Sequence, residues 1–261
     1  MLRYSILFWS ALLLTSGTPG ERGTKPTVWL IGDSTVKNGS GKGSGGSWGW
    51  GDYMYKQFDT TKISIKNYGR GGRSSRTFIS EGLWDKVLAK VKHGDYIIIQ
   101  FGHNDGGPVN DSSRARGTIR GTGNETQEIE NSITKKHEIV HSYGWYLRKY
   151  ITDSKTKGAT PIVCSIIPRN IWEKEKVVRS YGDYAKWAEE SALIEKTFYI
   201  NLNRIIASKY ETIGEEVVKN KFFLTDHTHT TEAGAILNAV SVAEGIKSLK
   251  HCKLKKYLSN K

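Results

Sequence analysis

The run Tyr96-Ile97-Ile98-Ile99-Gln100-Phe101 decides the fold, and it is followed at once by Gly102-His103-Asn104-Asp105. A strand with one solvated face alternates apolar and polar residues. A strand that is apolar almost throughout is buried on both faces, as in a parallel sheet covered by helices. Pro161 to Ile167 repeats the pattern, and Val28 to Ile31, Ile63 to Tyr68 and Phe198 to Leu202 are further strand candidates. Helical stretches lie between and after them: Trp50 to Phe58, Glu81 to Val91, Glu138 to Lys155, Asp183 to Lys196, Ile205 to Val218 and Thr231 to Leu249. Strands separated by helices predict a three-layer α/β/α, flavodoxin-like domain with a five-stranded parallel sheet. Gly106 to Thr134 breaks the rhythm. It is polar, carries Arg114, Arg116 and Arg120, and reads as a long loop that is either functional or disordered.

The chain has 261 residues, enough for one such domain and too few for two. Met1 to about Gly20 reads as a secretory signal: Arg3, a short apolar run from Ile6 to Leu14, then small residues. The domain is therefore expected over residues 21–261, in a secreted or periplasmic protein with no membrane contact once mature. An uncleaved anchor is the alternative, and the apolar run is short for it. Cys164 lies inside an apolar run and reads as a buried thiol. Cys252 is near the tail, and a bridge between the two stays open. The formal charge of +13 suggests an acidic partner. Basic residues are spread along the chain rather than gathered in a stripe, which argues against nucleic acid. A solvated basic surface without a special partner is the plainer explanation.

Open α/β sheets bind ligands at the carboxyl ends of their strands. Gly32-Asp33-Ser34-Thr35, Gly69-Arg70-Gly71-Gly72-Arg73-Ser74 and Gly102-His103-Asn104-Asp105 each follow a strand, and Asp226-His227-Thr228-His229 precedes the last helix. Alone, each string is an ordinary turn or cap. Asp226, His227 and His229 also read as a metal set, although no further ligand at matching spacing accompanies them. Together the strings bring a hydroxyl nucleophile, amide donors and an Asp/His pair to one sheet edge.

These strings resemble the four blocks of the SGNH (GDSL-like) hydrolases, which carry Ser, Gly, Asn and His in this order. Phe101-Gly102-His103-Asn104-Asp105-Gly106-Gly107, Asp226-His227-Thr228-His229-Thr230 and Gly49-Trp50-Gly51-Asp52-Tyr53 bring the chain nearer to the rhamnogalacturonan acetylesterases. The resemblance runs from about Val28 to the last helix. It implies a serine esterase with Ser34 as nucleophile, His229 as base and Asp226 as its orienting acid. It also implies an oxyanion hole from the backbone N–H groups of Ser34 and Gly72 with the side-chain amide of Asn104. The implied substrate is an acetylated acidic polysaccharide, with no cofactor and no metal.

Asp33 is expected to hold the nucleophile turn rather than act as a base. His103 either binds substrate or packs beneath the site. Trp172 is a candidate sugar-stacking residue. Arg114, Arg116 and Arg120 are candidate carboxylate-binding residues. Two other functions stay open: an SGNH esterase acting on another acetylated glycan or a lipid, and a non-catalytic carbohydrate-binding protein on the same fold.

Overall fold

The computed structural model describes residues 25–179 and 183–259, so the expected secretory signal lies outside the described residues. In chain order the strands are β1 (Thr27–Gly32), β2 (Ser64–Asn67), β3 (Tyr96–Gln100), β4 (Thr126–Glu130), β5 (His137–His141), β6 (Thr160–Cys164), β7 (Trp172–Glu173), β8 (Lys176–Val177) and β9 (Phe198–Ile200). The helices are α1 (Ser75–Ser80), α2 (Leu83–Leu88), α3 (Tyr143–Thr156), α4 (Tyr184–Ile194), α5 (Leu202–Ile213), α6 (Glu215–Phe222) and α7 (Glu232–Ser248). A five-stranded sheet in the order β2-β1-β3-β6-β9 forms the centre, and all its pairings are parallel. The five strand candidates form this sheet.

Successive strand residues point to opposite faces. Val28, Leu30, Ile98, Ile162 and Ile200 pack with Trp50, Met54, Leu202, Ile206 and Val242 on one side. Trp29, Ile31, Ile97, Ile99 and Val163 pack with Phe78, Trp84, Leu147, Tyr150 and Ala188 on the other. Both sets are buried, which is why the runs do not alternate in polarity. Each fully buried isoleucine contributes about 1.5–3 kcal/mol. Cys164 and Cys252 are both buried and free, so they form no bridge. Among the described residues, no helix is long and apolar enough to cross a membrane.

Four expectations about elements change. The Trp50 segment is a 3-10 helix over Trp50–Gln57. The helix expected from Glu138 starts later, because His137–His141 pairs antiparallel with β4, and Ser142 caps α3 by accepting the Trp145 N–H at 3.1 Å. The helix expected over 205–218 is two helices, broken at Gly214. The segment 106–134 is not a free loop. Its end forms β4, and its middle is bound to Arg76, a fully buried guanidinium. Arg76 donates to the carbonyls of Val109 (2.7 Å) and Gly117 (2.9 Å) and forks onto Glu138 (2.7 and 2.6 Å).

Candidate active site

The chain leaves β1 to one side for β2 and returns on the other side for β3. The crevice between the ends of β1 and β3 is therefore the topological switch point of the sheet. Ser34 stands there on a tight turn. The N–H groups of Val36 and Lys37 both reach the Asp33 carbonyl at 3.1 Å. Asp33 Oδ1 accepts from the Thr35 N–H (2.9 Å) and hydroxyl (2.8 Å), so Asp33 braces the turn. Beneath it, Gln100 Nε2 donates to Thr35 Oγ1 at 2.6 Å, and Gln100 Oε1 accepts from Trp50 Nε1 at 2.9 Å.

The segment around Gly49 joins this turn to the Asp/His turn. Trp50 and Gly51 donate their N–H groups to the carbonyls of Thr35 and Val36 at 2.9 Å, while Trp48 donates to the Thr230 carbonyl at 2.8 Å. A Cβ on Gly49 would lie 2.4 Å from the Val36 carbonyl, so no larger residue fits between the two turns. The result is a continuous chain of polar contacts. Ser34 Oγ lies 2.9 Å from His229 Nε2, and His229 Nδ1 lies 2.7 Å from Asp226 Oδ2. Asp226 Oδ1 also accepts the N–H groups of Thr228 and His229, both at 2.7 Å. Burial alone would raise the Asp226 carboxyl. The hydrogen bonds from the His229 ring and from these two N–H groups together outweigh it and bring the carboxyl to about 2.

The two other strand-end loops meet beside Ser34. A Cβ on Gly71 would lie 3.6 Å from Ser34 Cβ. Gly72 adopts a φ of +78°, in the left-handed region that favours glycine. Asn104 Nδ2 donates to the Arg73 carbonyl at 2.9 Å, which fixes the amide and leaves its second N–H for another acceptor. Asp105 ties the same loops together by accepting the Ser75 N–H (3.1 Å) and hydroxyl (2.5 Å). Its burial raises the carboxyl to about 7 against those bonds.

The remaining candidates separate. Both ring nitrogens of His103 are out of solvent and have no hydrogen-bond partner among the described residues. Burial lowers the ring to about 4, against the pull of Asp33, so it stands as a neutral group under the site. Trp172 is half-buried, with its ring N–H bound to Asn170 Oδ1 at 2.8 Å, and the Asn170 N–H donates to the His227 carbonyl at 2.8 Å. This places Trp172 beside the Asp/His turn. Arg116 Nη1 donates to the Gly72 carbonyl at 2.8 Å, whereas Arg120 turns to α4, 3.7 Å from Asp183 and over the Trp187 ring. Arg114 is exposed. Burial together with the Arg114 charge lowers the Arg116 guanidinium, so Arg114 and Arg116 stay near each other and Arg120 stands apart. The His227 ring faces Arg169 at 3.0 Å, and no group of three or more His, Cys, Asp and Glu side chains among the described residues has a metal-binding arrangement.

Sequence reading missed Gln100, Thr35 and Arg76 as supports. Gln100 carried a signal: a polar residue in a strand buried on both faces needs a buried partner. Arg76 carried none, because its partners come from three distant segments.

Residues 28–239 match the family model described as GDSL-like Lipase/Acylhydrolase. A rhamnogalacturonan acetylesterase of Emericella nidulans is 33% identical over 211 residues, covering 80% of each chain. The probable rhamnogalacturonan acetylesterase YesY of Bacillus subtilis is 29% identical, covering 85% of this chain and 93% of its own. The crystal structure of YxiM from Bacillus subtilis superposes with a TM-score of 0.69 at 24% identity, over 86% of this chain and 56% of that one.

Proposed function

This chain belongs to the GDSL-like lipase/acylhydrolase family, and from that premise we propose that it is an exported serine esterase that removes acetyl groups from rhamnogalacturonan. The observation that carries the catalytic part is the unbroken Ser34–His229–Asp226 contact chain, at 2.9 and 2.7 Å. The substrate part rests on the two relatives whose names specify that activity.

In this reading Ser34 Oγ attacks the acetyl carbonyl carbon as His229 Nε2 takes its proton. Asp226 holds the ring by Nδ1 and balances its positive charge. The carbonyl oxygen becomes an oxyanion that accepts from the N–H groups of Ser34 and Gly72 and the free N–H of Asn104. The bond to the sugar oxygen then breaks, and Nε2 returns the proton to that oxygen. Water repeats the sequence on acetyl-Ser34 and releases acetate. Asn104→Ala, measured with p-nitrophenyl acetate, is expected to lower kcat by about 10²–10³-fold, as loss of one oxyanion donor does. An unchanged kcat would remove Asn104 from the site.

The imidazole accepts a proton only when neutral, so activity falls on acidification. Asp226 keeps its charge throughout that fall, because its carboxyl sits at about 2. Its value is lower in the folded chain than unfolded. It therefore stabilises the fold above about pH 4, and that contribution is lost as pH drops toward 2. A log kcat/KM profile is expected to show an acid limb of slope one. A slope of two would mean that both groups titrate together.

Acetate release from a panel of acetylated polysaccharides tests the substrate assignment, with Ser34→Ala as the blank. Faster release from rhamnogalacturonan than from acetylated xylan supports it; the reverse order moves the assignment to another glycan.

A further inference from the structure

A cavity of about 510 Å³ opens beside the nucleophile, between β2 and α2. Its apolar floor is made by Tyr68, Phe78 and Leu83, and four cationic side chains, Lys37, Arg70, Lys86 and Lys90, line it with no carboxylate among them. Lys90 Nζ donates to the Tyr68 hydroxyl at 2.8 Å and lies 5.0 Å from that ring's centre, and Lys37 Nζ donates to the Asn67 carbonyl at 3.1 Å. Arg70 and Lys86 are exposed and form no ion pair among the described residues.

The cavity and the nucleophile share a wall. Gly69 and Arg70 line the cavity, and the next residue, Gly71, is the one whose Cβ would touch Ser34. The Arg70 N–H donates to the Gly32 carbonyl at 2.8 Å, so this wall is fixed to the end of β1.

We propose that this cavity is a subsite for a uronate of the polymer that carries the acetylated sugar, with Arg70 and Lys86 holding its carboxylate. The inference deepens the acetylesterase assignment and rests on it for the position of the acetyl group. A guanidinium fork matches a carboxylate, and an apolar floor suits the C–H faces of a sugar ring. Arg116 and Arg120 of the 106–134 segment suit the role less well, because Gly72 and Asp183 already engage them.

The test is direct binding of deacetylated rhamnogalacturonan oligosaccharides, measured by titration calorimetry at low and high salt. The proteins are the wild type, Arg70→Gln/Lys86→Gln, and Lys56→Gln/Lys256→Gln. The last pair loses the same charge at a separate cavity. The expected result is binding about 10-fold weaker in the first pair, with a reduced salt dependence, and unchanged binding in the second. Matching thermal midpoints show that the variants fold. No wild-type binding, equal binding in all three, or equal weakening in both pairs overturns the subsite. Acetate release decides the other question: a wild type that binds the acidic oligosaccharide yet deacetylates only neutral glycans keeps the carboxylate-binding cavity, and both its role as a substrate subsite and the rhamnogalacturonan assignment fall.

Discussion

Ser34→Ala and His229→Ala are each expected to lower kcat for acetyl-ester hydrolysis by about 10⁴-fold or more, while the fold persists. The magnitude follows from the two groups acting as one unit. Without the hydroxyl there is no acyl acceptor, and without the imidazole the hydroxyl keeps its proton. Residual activity would come from the amide donors and from binding. The fold persists because neither side chain belongs to the packed layers on the two faces of the sheet. Circular dichroism and the thermal midpoint check the second half of the expectation, and p-nitrophenyl acetate hydrolysis checks the first. Retention of most activity by Ser34→Ala would exclude the serine mechanism.

The second large effect is on stability. Arg76→Met is expected to cost about 3–5 kcal/mol, because it leaves Glu138 half-buried without its cation and two carbonyls without a donor. For a domain of this size that lowers the thermal midpoint by roughly 6–10 °C. Burial would raise the Glu138 carboxyl, but the Arg76 fork and Asn131 hold it below its usual range. The pair therefore contributes above the carboxylate range and weakens on acidification. In the variant, limited proteolysis is expected to cut first within 106–134, the segment that Arg76 pins. A midpoint equal to the wild type would show that the segment is held by other contacts.

The strands were legible because a parallel sheet buried on both faces needs apolar runs of strand length, and Tyr96 to Phe101 is such a run. The order of elements followed from those runs, and the positions of the candidate site residues followed from the rule that such sheets work at their carboxyl ends. Local signals misled where tertiary contacts overrode them. His137–His141 lies next to a helix and reads as its first turn, yet it pairs with Thr126–Glu130, and Val140 and Ile129 go inward together. The 106–134 segment looked like a loop because what orders it is tertiary: a guanidinium distant in sequence holds the Val109 and Gly117 carbonyls, and its end pairs with a later strand. Gly214 hid a helix break inside an apolar pattern that continues on both sides.

The sequence by itself determined the layer architecture and pointed to Ser34, Asp226 and His229 as candidate reacting groups, because hydrophobic period and residue chemistry are local properties. Only the tertiary structure decided which charges work together. It turned Arg120 away from Arg116, its near neighbour in the chain, and gathered Lys37, Arg70, Lys86 and Lys90 around one cavity from three stretches of chain. Electrostatic and hydrogen-bonding partnerships depend on distances of a few ångströms between segments far apart in the chain, and no pattern along the chain encodes those distances.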